Sequence, residues 1–565
     1  MKVRFRLMCC AVIAVLISNC TTSRTTMGEA SLGDEAPNIL VIVADDLGYS
    51  DVAPYGGEIR TPNLEWLAGD GVRLTHFHSA PSCSPTRAML LSGTDNHIAG
   101  LGAMAEHIPA HYQGREGFEG VLSTRVASLA ERLSEAGYRT SMSGKWHLGM
   151  EDGQRPAQRG FQTSFALLQG ASNHFGDGGF GTHDDGLGGA TYVENDQSYE
   201  PQAGFYSSDV FTEKMIEQVE SGDQAKPFFA YLSYSAPHSP LQAPEENIET
   251  YKTTYEGGWA KLAQDRLVGM READVLPGKV PETTAGFGPP QESWDALSED
   301  EKVRAARQMA VYAAMVERMD ANIGRVLDKL KQSGQYENTI ILFMSDNGPA
   351  GEDPRPYSIM PGFLERYTNA DQSLEAMGSS DSFLLQDPRW ASAIAAPSRL
   401  FKGFVTEGGT LVPMIIKAPG VKGGGTNAVI GDMQDITPTL LALAGVPQEE
   451  TVNGMKVARI EGQNLMPWLS SGNDDRPIEH VAFGFNGQAS VRAGPWKALR
   501  ILPPMGDGGW HLYNTFDDPA ETRDLKEEKP DLFADMMESW QAYVVRHNLD
   551  EEADLLPMSL PHAGH

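Results

Sequence analysis

Residues 38–46 read NILVIVADD, an apolar run that stops at two aspartates, Asp45 and Asp46. An unbroken run rich in β-branched residues is typical of a strand covered on both faces, as in a sheet between helices. The pattern returns at 339–347, TIILFMSDN, which ends in Asp346 and Asn347. Parallel strands end at one edge of a sheet, where ligands bind, so these two distant stretches are expected to share one site.

Apolar runs and helical patterns alternate along most of the chain, which favours an α/β fold. We expect a large, mixed, mostly parallel sheet flanked by helices, followed by a smaller C-terminal α/β domain with a short antiparallel sheet. Strands are predicted at 38–44, 227–235, 339–344, 411–417, 481–485, 490–493 and 496–501, and helices at 61–68, 125–136 and 301–332. The predicted domains are 37–446, which holds the large sheet, and 447–565, the smaller C-terminal domain.

The first twenty residues have the pattern of a targeting segment. Lys2, Arg4 and Arg6 precede the apolar run Leu7 to Ile17, which is too short to span a bilayer. Residues 1–20 are predicted to be a signal peptide, and 21–36 a flexible tether. The end resembles a lipoprotein signal with Cys20 lipidated, although ordinary cleavage stays open. We expect an exported protein, periplasmic or anchored to the outer membrane through Cys20.

Composition narrows the classes of partner. The 565 residues are 41% hydrophobic and 21% charged, with a formal net charge of −31. Nucleic acid is therefore excluded, since binding it needs a basic face. A site for an anionic substrate on such a surface must supply its own positive charge.

The folded body is predicted to contain a single cysteine. Of the four cysteines, Cys9, Cys10 and Cys20 belong to the N-terminal segment, and only Cys83 lies beyond it. It opens the stretch CSPTRAMLLSG at 83–93, in which Ser84 and Pro85 are expected to cap and open a helix. Cys83 and Arg87 would then stand near its positive end, which favours anions. A buried inert thiol is the alternative.

The strand-end residues Asp45, Asp46, Asp346 and Asn347 offer three carboxylates and an amide oxygen. An oxygen-only set favours calcium or magnesium over zinc. One Asp-Asp pair alone would indicate a turn or a helix cap. Two such pairs at strand ends predict a metal site.

Two motifs carry a family resemblance. The C-x-P-x-R core followed by Leu and Ser-Gly resembles the formylglycine signature of type I sulfatases, and a second signature lies at 137–149, GYRTSMSGKWHLG. The stretches VADDLGYSD, GTDNHIAG, APHSPLQAP, MVERMD and APSRLFKGF extend it over residues 37 to about 545. The chain is most similar to bacterial arylsulfatases. The resemblance implies an alkaline-phosphatase-like fold and hydrolysis of sulfate monoesters, with aryl sulfates expected.

The resemblance also implies a cofactor and a modified residue. One calcium per chain would be bound by Asp45, Asp46, Asp346, Asn347 and the modified Cys83. A formylglycine-generating or equivalent maturation enzyme would convert Cys83 to 3-oxoalanine (formylglycine). The hydrate supplies two geminal hydroxyls, so that one attacks sulfur to give a sulfoenzyme intermediate and the other later ejects sulfate.

Further roles are implied residue by residue. Arg87 steadies the hydrate, Lys145 holds a sulfate oxygen and His147 acts on the formylglycine hydroxyl. His238, as general acid, and Lys402 match the leaving-group side. Lys145 and His147 are expected on an extended segment with both side chains on one face. Four other histidines are interpreted as structural: His76, His78, His97 and His174.

Three alternatives remain open from the sequence. A formylglycine-dependent phosphonate monoester or phosphodiester hydrolase shares the same site residues. A metal-dependent phosphatase fits less well, because it would use Ser or Thr with zinc-binding histidines. A surface lipoprotein could bind sulfated ligands through unmodified Cys83. The substrate would be a small-molecule or saccharide sulfate ester, with the pocket rim expected at 170–189 and 354–398.

Overall fold

The computed structural model of the chain describes residues 36–176, 190–276, 293–352, 368–477 and 480–555. The predicted signal peptide, nearly all of the predicted tether and parts of both predicted rim segments lie outside these ranges. No helix within them is both long enough and apolar enough to cross a membrane.

One ten-stranded sheet forms the centre of the described structure, in the order β10-β2-β9-β8-β1-β7-β3-β4-β5-β6. Its strands are β1 Asn38–Ala44, β2 Val72–His78, β3 Arg139–Lys145, β4 Thr163–Leu167, β5 Tyr192–Glu194, β6 Gln197–Tyr199, β7 Phe228–Ser233, β8 Thr339–Ser345, β9 Met414–Lys417 and β10 Gly425–Asp432. The middle strands β8, β1, β7, β3 and β4 run parallel, whereas β9, β5 and β6 pair antiparallel with their neighbours.

Helices cover both faces of this sheet, and further helices belong to the C-terminal part of the chain. They are α1 Pro62–Asp70, α2 Cys83–Ser92, α3 Leu129–Glu135, α4 Ser207–Glu220, α5 Glu245–Thr250, α6 Gly258–Glu272, α7 Glu299–Gln332, α8 Pro388–Ala395, α9 Glu407–Thr410, α10 Ile436–Ala444, α11 Met466–Ser471, α12 Pro530–His547 and α13 Glu551–Asp554. Short 3-10 helices lie at Ala53–Tyr55, Ala105–His107, Ala110–Tyr112, Pro156–Arg159, Trp294–Ala296 and Met433–Asp435.

Strand β1 is buried on both faces, as its composition predicts. Leu40 and Ile42 belong to one hydrophobic core, and Ile39 and Val41 to a second core on the other side of the sheet. Alternation along a strand sends successive side chains to opposite faces, so one central strand contributes to both cores. The helices on each side thereby fix the edge of the sheet where β1 ends.

The predicted elements exist, with shifted ends. The sequence pattern predicts a helix over 125–136, but α3 begins at Leu129 because Ser128 and Glu131 form a capping box. The strand predicted over 411–417 begins at Met414, and Leu411 makes only an isolated bridge to His78. The longest predicted helix, 301–332, is observed as α7 from Glu299, capped by Ser298.

The C-terminal part contains the antiparallel sheet β13 Val481–Phe485, β14 Gln488–Ala493, β15 Trp496–Arg500 and β16 Trp510–Asn514, preceded by the small hairpin β11 Thr451–Val452 and β12 Met455–Lys456. Helix α12 packs on this sheet through Met536 and Trp540. The predicted fold class, a large mostly parallel sheet with helices and a small C-terminal antiparallel sheet, is confirmed.

A buried ion network joins the C-terminal sheet to the large sheet. Glu407 of α9 accepts hydrogen bonds from Arg492 and, at 2.7 Å, from Lys497, and its other oxygen lies 3.0 Å from His78 Nε2. Lys497 also lies 3.1 Å from Glu521. We call these five residues the interdomain network. Burial alone would raise the pKa of Glu407, but Arg492 and Lys497 hold it well below its ordinary value.

Candidate active site

Two strand ends bring the predicted carboxylates together. Strands β1 and β8 are parallel neighbours with Ala44 opposite Ser345, so the residues that follow them meet at one edge. The backbone N–H of Asp46 donates to Asp346 Oδ1 at 3.2 Å, and Asn347 Nδ2 donates to Asp46 Oδ1 at 2.6 Å. The structure therefore joins residues that are 300 positions apart, as the strand-end argument predicts.

The loop that carries Asp46 is held in an unusual conformation. Asp46 has φ 65°, in the left-handed region that non-glycine residues adopt rarely. The hydroxyl of Tyr312 donates to the carbonyl of Asp46 at 3.2 Å and lies 2.5 Å from Asp51 Oδ2. Arg266 in turn pairs with Asp51. This support fixes the direction of the Asp46 carboxylate.

Cys83 lies at the first position of α2, with Ser82 at the N-cap. The expectation that Ser84 caps this helix and Pro85 opens it is wrong by two residues, because Ser82 is the N-cap and both residues lie inside the first turn. Cys83 is 1% exposed, and its Sγ lies 3.5 Å from Asp45 Oδ1 and 3.8 Å from Asp46 Oδ1. Burial would raise the pKa of this thiol, but Lys145 and Lys402 lower it well below its usual value.

Arg87 follows one turn later on α2 and points to the same place. Its Nε and Nη2 lie 2.9 and 2.7 Å from Asp346 Oδ2, and Nη1 donates to the carbonyl of Lys145 at 3.2 Å. It also donates to the hydroxyl of Ser233 at the end of β7. The helix start is thereby tied to strands β3, β7 and β8.

Lys145 and His147 flank Cys83, although not through an extended segment. Strand β3 ends at Lys145, whose Nζ donates to Asp45 Oδ2 at 2.7 Å. His147 has φ 54°, so the expected extended geometry is wrong at this residue. Its Nε2 lies 3.2 Å from Glu106 Oε1, and its Nδ1 is buried without a hydrogen-bond partner in the part of the chain that the structure describes. Burial lowers the pKa of His147, and Glu106 and Cys83 more than offset this.

His238 and Lys402 meet at Asp46. Lys402 Nζ lies 2.8 and 2.9 Å from the two oxygens of Asp46, and His238 Nε2 lies 3.5 Å from Oδ2. His238 Nδ1 donates to the carbonyl of Ser239 at 2.6 Å, which orients the ring. Burial lowers the pKa of His238, but Asp46 raises it further, to about 9, so the ring is protonated at neutral pH.

We call the residues that meet at this edge of the sheet the catalytic cluster: Asp45, Asp46, Cys83, Arg87, Lys145, His147, His238, Asp346, Asn347 and Lys402. Exposure divides it into a fully buried part, the floor, and a partly exposed part, the mouth. The side chains of Asp45, Arg87 and Lys145 are 0% exposed. Those of His147, His238 and Lys402 are 11%, 14% and 14% exposed. The two histidines and Lys402 are therefore the members of the group that reach solvent, while the other cations lie beneath them.

The buried oxygens fit a hard cation. Asn347 Oδ1 is buried and accepts no hydrogen bond from the part of the chain that the structure describes. Burial and the neighbouring Asp45 raise the pKa of Asp346, while burial raises that of Asp45 despite Lys145. Crowded carboxylates and a free amide oxygen are the ligands that calcium prefers. The four predicted strand-end ligands, which with the modified Cys83 make up the predicted set of five, therefore suit calcium better than zinc.

The comparisons with known proteins agree with this geometry. The sequence model of the Sulfatase family matches residues 37–446, which contain every residue of the catalytic cluster. The chain belongs to the sulfatase family. It is therefore a sulfuric ester hydrolase, as the motifs around Cys83 and Lys145 predict.

Two sulfatase relatives cover most of the chain. An uncharacterized sulfatase of Schizosaccharomyces pombe is 43% identical over 90% of this chain and 93% of its own length. An arylsulfatase of Klebsiella aerogenes is 35% identical over 78% of this chain and 93% of its own length. The family and the enzyme class both follow from these matches.

A solved structure shows the same fold. The crystal structure of Ps i-CgsB in complex with k-i-k-neocarrahexaose has a TM-score of 0.65 and 24% sequence identity, and covers 92% of this chain and 98% of its own. At this level of identity the likeness concerns the fold alone. It supports the arrangement of the large sheet and the small C-terminal sheet in this sulfatase.

Two residues of this sulfatase site were not found by sequence reasoning. Glu106, on a short 3-10 helix, contacts His147, and nothing in the surrounding sequence marks it. Asp51 supports the Asp46 loop together with Arg266 and Tyr312. Asp51 does end the stretch VADDLGYSD, so its place in that motif was an available signal. All the predicted site residues lie together in the cluster.

Proposed function

We propose that this sulfatase hydrolyses aryl sulfates with a formylglycine made from Cys83. The observation that carries the proposal is the position of Cys83 at the start of α2, where its Sγ faces Asp45 and Asp46 and its thiol is influenced by Lys145 and Lys402. The Sγ atom marks where the oxygens of the modified residue would stand. Calcium held by Asp45, Asp46, Asp346 and Asn347 would act as a Lewis acid on the sulfate group.

Lys145 on the floor and Lys402 at the mouth would bind the sulfate. Both bring positive charge close enough to Cys83 to lower the pKa of its thiol, and the net negative charge of the chain makes such local charge necessary. Arg87 is already paired with Asp346, so it would orient the residue at position 83 and the carboxylate rather than recruit substrate. Fixed charges in a water-poor floor need no rearrangement as charge develops.

The histidines at the mouth would move protons at different atoms. His238 Nε2 is protonated and partly exposed, so it can donate to the leaving oxygen of the ester. Cys83 raises the pKa of the His147 ring, and that ring would accept a proton from the modified residue at position 83. A hydrated formylglycine supplies one hydroxyl for attack on sulfur and another whose deprotonation releases sulfate. A serine would lack the second hydroxyl.

The relatives indicate which alcohol is attached. The 35% identical relative is named an arylsulfatase, which favours aryl sulfates. One structural neighbour was solved with its substrate D-glucosamine-2-N,6-O-disulfate, but at 19% identity this likeness concerns fold. A panel of aryl, alkyl and saccharide sulfates with phosphomonoesters, phosphodiesters and phosphonate monoesters tests the choice. Faster turnover of phosphodiesters or saccharide sulfates than of aryl sulfates would overturn it.

Intact mass spectrometry tests the modification directly. Conversion of Cys83 to formylglycine lowers the chain mass by about 18 Da relative to the unmodified thiol. An active protein whose Cys83 peptide has the mass of cysteine would contradict the mechanism. Metal analysis is expected to find about one calcium per chain, whereas zinc in the catalytic cluster would favour a phosphatase.

A further inference from the structure

A second group of metal-binding side chains lies away from the catalytic cluster. Asp95 and His97 follow the C-terminal end of α2, whose first residue is Cys83, and His547 is the last residue of α12. Each offers one ligand atom, and the three atoms lie within 4.8 Å of one another. We propose that Asp95, His97 and His547 bind a zinc-class divalent ion that ties α12 to the catalytic domain.

The spacing fits a small transition-metal ion. Asp95 Oδ1 lies 3.3 Å from His97 Nδ1 and 3.6 Å from His547 Nε2. With zinc bonds to nitrogen and oxygen of about 2.0–2.2 Å, neighbouring ligand atoms of a tetrahedral site stand about 3.3–3.6 Å apart. Two imidazoles and one carboxylate are ligands that zinc accepts and calcium does not favour.

The ring of His547 has a buried nitrogen that hydrogen bonding does not account for. Its side chain is 5% exposed, yet Nε2 is buried and has no hydrogen-bond partner within the described ranges. A ring nitrogen without a hydrogen can be a metal ligand.

A supporting contact orients the carboxylate. The hydroxyl of Tyr543 donates to Asp95 Oδ2 at 2.9 Å and leaves Oδ1 facing the two imidazoles. The backbone N–H of His97 donates to Oδ1 at 2.8 Å. Such partners of a ligand fix its direction and raise metal affinity. The Tyr543 hydroxyl also lies 3.0 Å from His97 Nδ1. Once an ion is bound to that nitrogen, the hydroxyl would hydrogen-bond to Asp95 alone.

One of the three residues lies at a cleft. His97 lines it together with Tyr112, Phe118 and Trp540. Three protein ligands leave one tetrahedral position for water. The ion would join the loop after α2 to the end of α12, so its expected effect is on stability. His97, interpreted from the sequence as structural, is reassigned as a ligand in this proposal.

Calorimetry on the purified full chain tests the proposal. The protein is stripped with a chelator and then given excess calcium, which occupies the oxygen-rich catalytic cluster, before titration with zinc. We expect one zinc bound per chain and a rise in Tm. His547→Ala should lose that zinc or bind it at least about tenfold more weakly, because even supporting residues contribute 10–100-fold to affinity. Cobalt in place of zinc reports the same site by visible absorption.

Matched variants keep the result interpretable. His480 lies before strand β13, and its Nδ1 is 2.7 Å from Ser539 Oγ of α12, the helix that also carries His547. The variant His480→Ala should bind zinc as the parent does. Sulfatase activity and circular dichroism check that each variant is folded. If His547→Ala does not fold, Asp95→Asn replaces it. No zinc binding by the parent overturns the proposal, as does equal zinc binding by His547→Ala and the parent.

Discussion

The catalytic cluster and the interdomain network are both buried groups of opposite charges, but they differ in the other groups that they contain. In the interdomain network, Glu407 contacts His78, Arg492 and Lys497, and Lys497 also contacts Glu521. The catalytic cluster contains in addition a thiol, an amide oxygen without a hydrogen-bond donor, and two left-handed non-glycine residues. Two of its positively charged side chains, His238 and Lys402, are also partly exposed to solvent.

This difference shows that buried charge alone does not mark a catalytic centre. Perturbed pKa values occur in both groups, because burial and close charges shift pKa in any ion network. The distinguishing features are a nucleophile and access from solvent, since buried polar atoms without a hydrogen-bond partner occur in both groups. We therefore expect mutations in the catalytic cluster to change turnover, and mutations in the interdomain network to change stability.

Replacing Cys83 should have the largest effect. Cys83→Ala removes the precursor of the nucleophile, so turnover should fall by at least about 10⁴-fold, as it does when other enzymes lose their nucleophile. Thermal unfolding should change little. Cys83→Ser should be severely impaired. Activity of Cys83→Ala near the parent level would refute the assignment, and full multiple turnover by Cys83→Ser would show that the second hydroxyl is dispensable.

The two histidines at the mouth should separate by leaving group. His238→Ala should slow alkyl sulfates by about 10²–10⁴-fold and activated phenyl sulfates less, because a good leaving group needs little proton help. His147→Ala should give a burst of phenol followed by a slow steady rate, whichever alcohol was attached. Stopped-flow measurements across a series of phenols check both. A graded response from His147→Ala with a uniform loss from His238→Ala would reverse the roles.

In the interdomain network, Glu407→Gln should act on stability. It leaves Arg492 and Lys497 buried with less compensation, which costs about 3–5 kcal/mol of unfolding free energy. The turnover number per folded molecule should change little. Urea denaturation measures the first quantity and a titration of active sites the second. Glu528→Gln, in an exposed pair with Arg523, is the control and should cost less than about 1 kcal/mol.

The same network should give a pH dependence. Burial, and after it the positive charge of Arg492, lowers the pKa of His78 from 6.5 to about 4. Between these two pH values the unfolded chain therefore binds a proton at His78 that the folded protein does not bind. This effect removes stability as pH falls from 6.5 to 4, by about 3 kcal/mol in total. His78→Gln should flatten the dependence over that window. Parallel curves for the two proteins would show that His78 does not titrate as described.

The smallest effect is expected at the edge of the catalytic cluster. Glu106 is partly exposed and lies 3.2 Å from His147 Nε2. Glu106→Gln removes a charge that orients this ring, at a cost of about 1 kcal/mol or about fivefold in kcat. The slower step should be sulfate release, so a weak burst should accompany it. A loss confined to KM would indicate a contact with substrate instead.

Much of the site could be predicted because its determinants are local. Strand composition places Asp45 and Asp346 at strand ends, and the parallel sheet then brings them together. The left-handed conformation of His147 could not be predicted, since no local residue preference requires it. The start of α3 could have been: Ser128 followed three residues later by Glu131 is a readable capping box.

The contacts of Glu106 and Glu407 depend on tertiary packing alone. Glu407 meets side chains from β14 and β15, and Arg492 is 85 residues away along the chain. A charged residue in a short α9 gives no sign of such burial, because isolated charges in loops are ordinarily solvated. The interdomain network was therefore invisible in the sequence, while the catalytic cluster carried motifs.

The order of the strands along the chain also determines when the two central strands become available to pair during translation. Central strand β1 is made first, but its neighbour β8 follows about 300 residues later. At 5–20 residues per second, the ribosome takes roughly 15–60 s to cover that distance. Until then α2 has no completed edge to pack against, so Cys83, 1% exposed in the finished protein, would still be open to solvent. The topology would thus give time for the modification that we propose for Cys83.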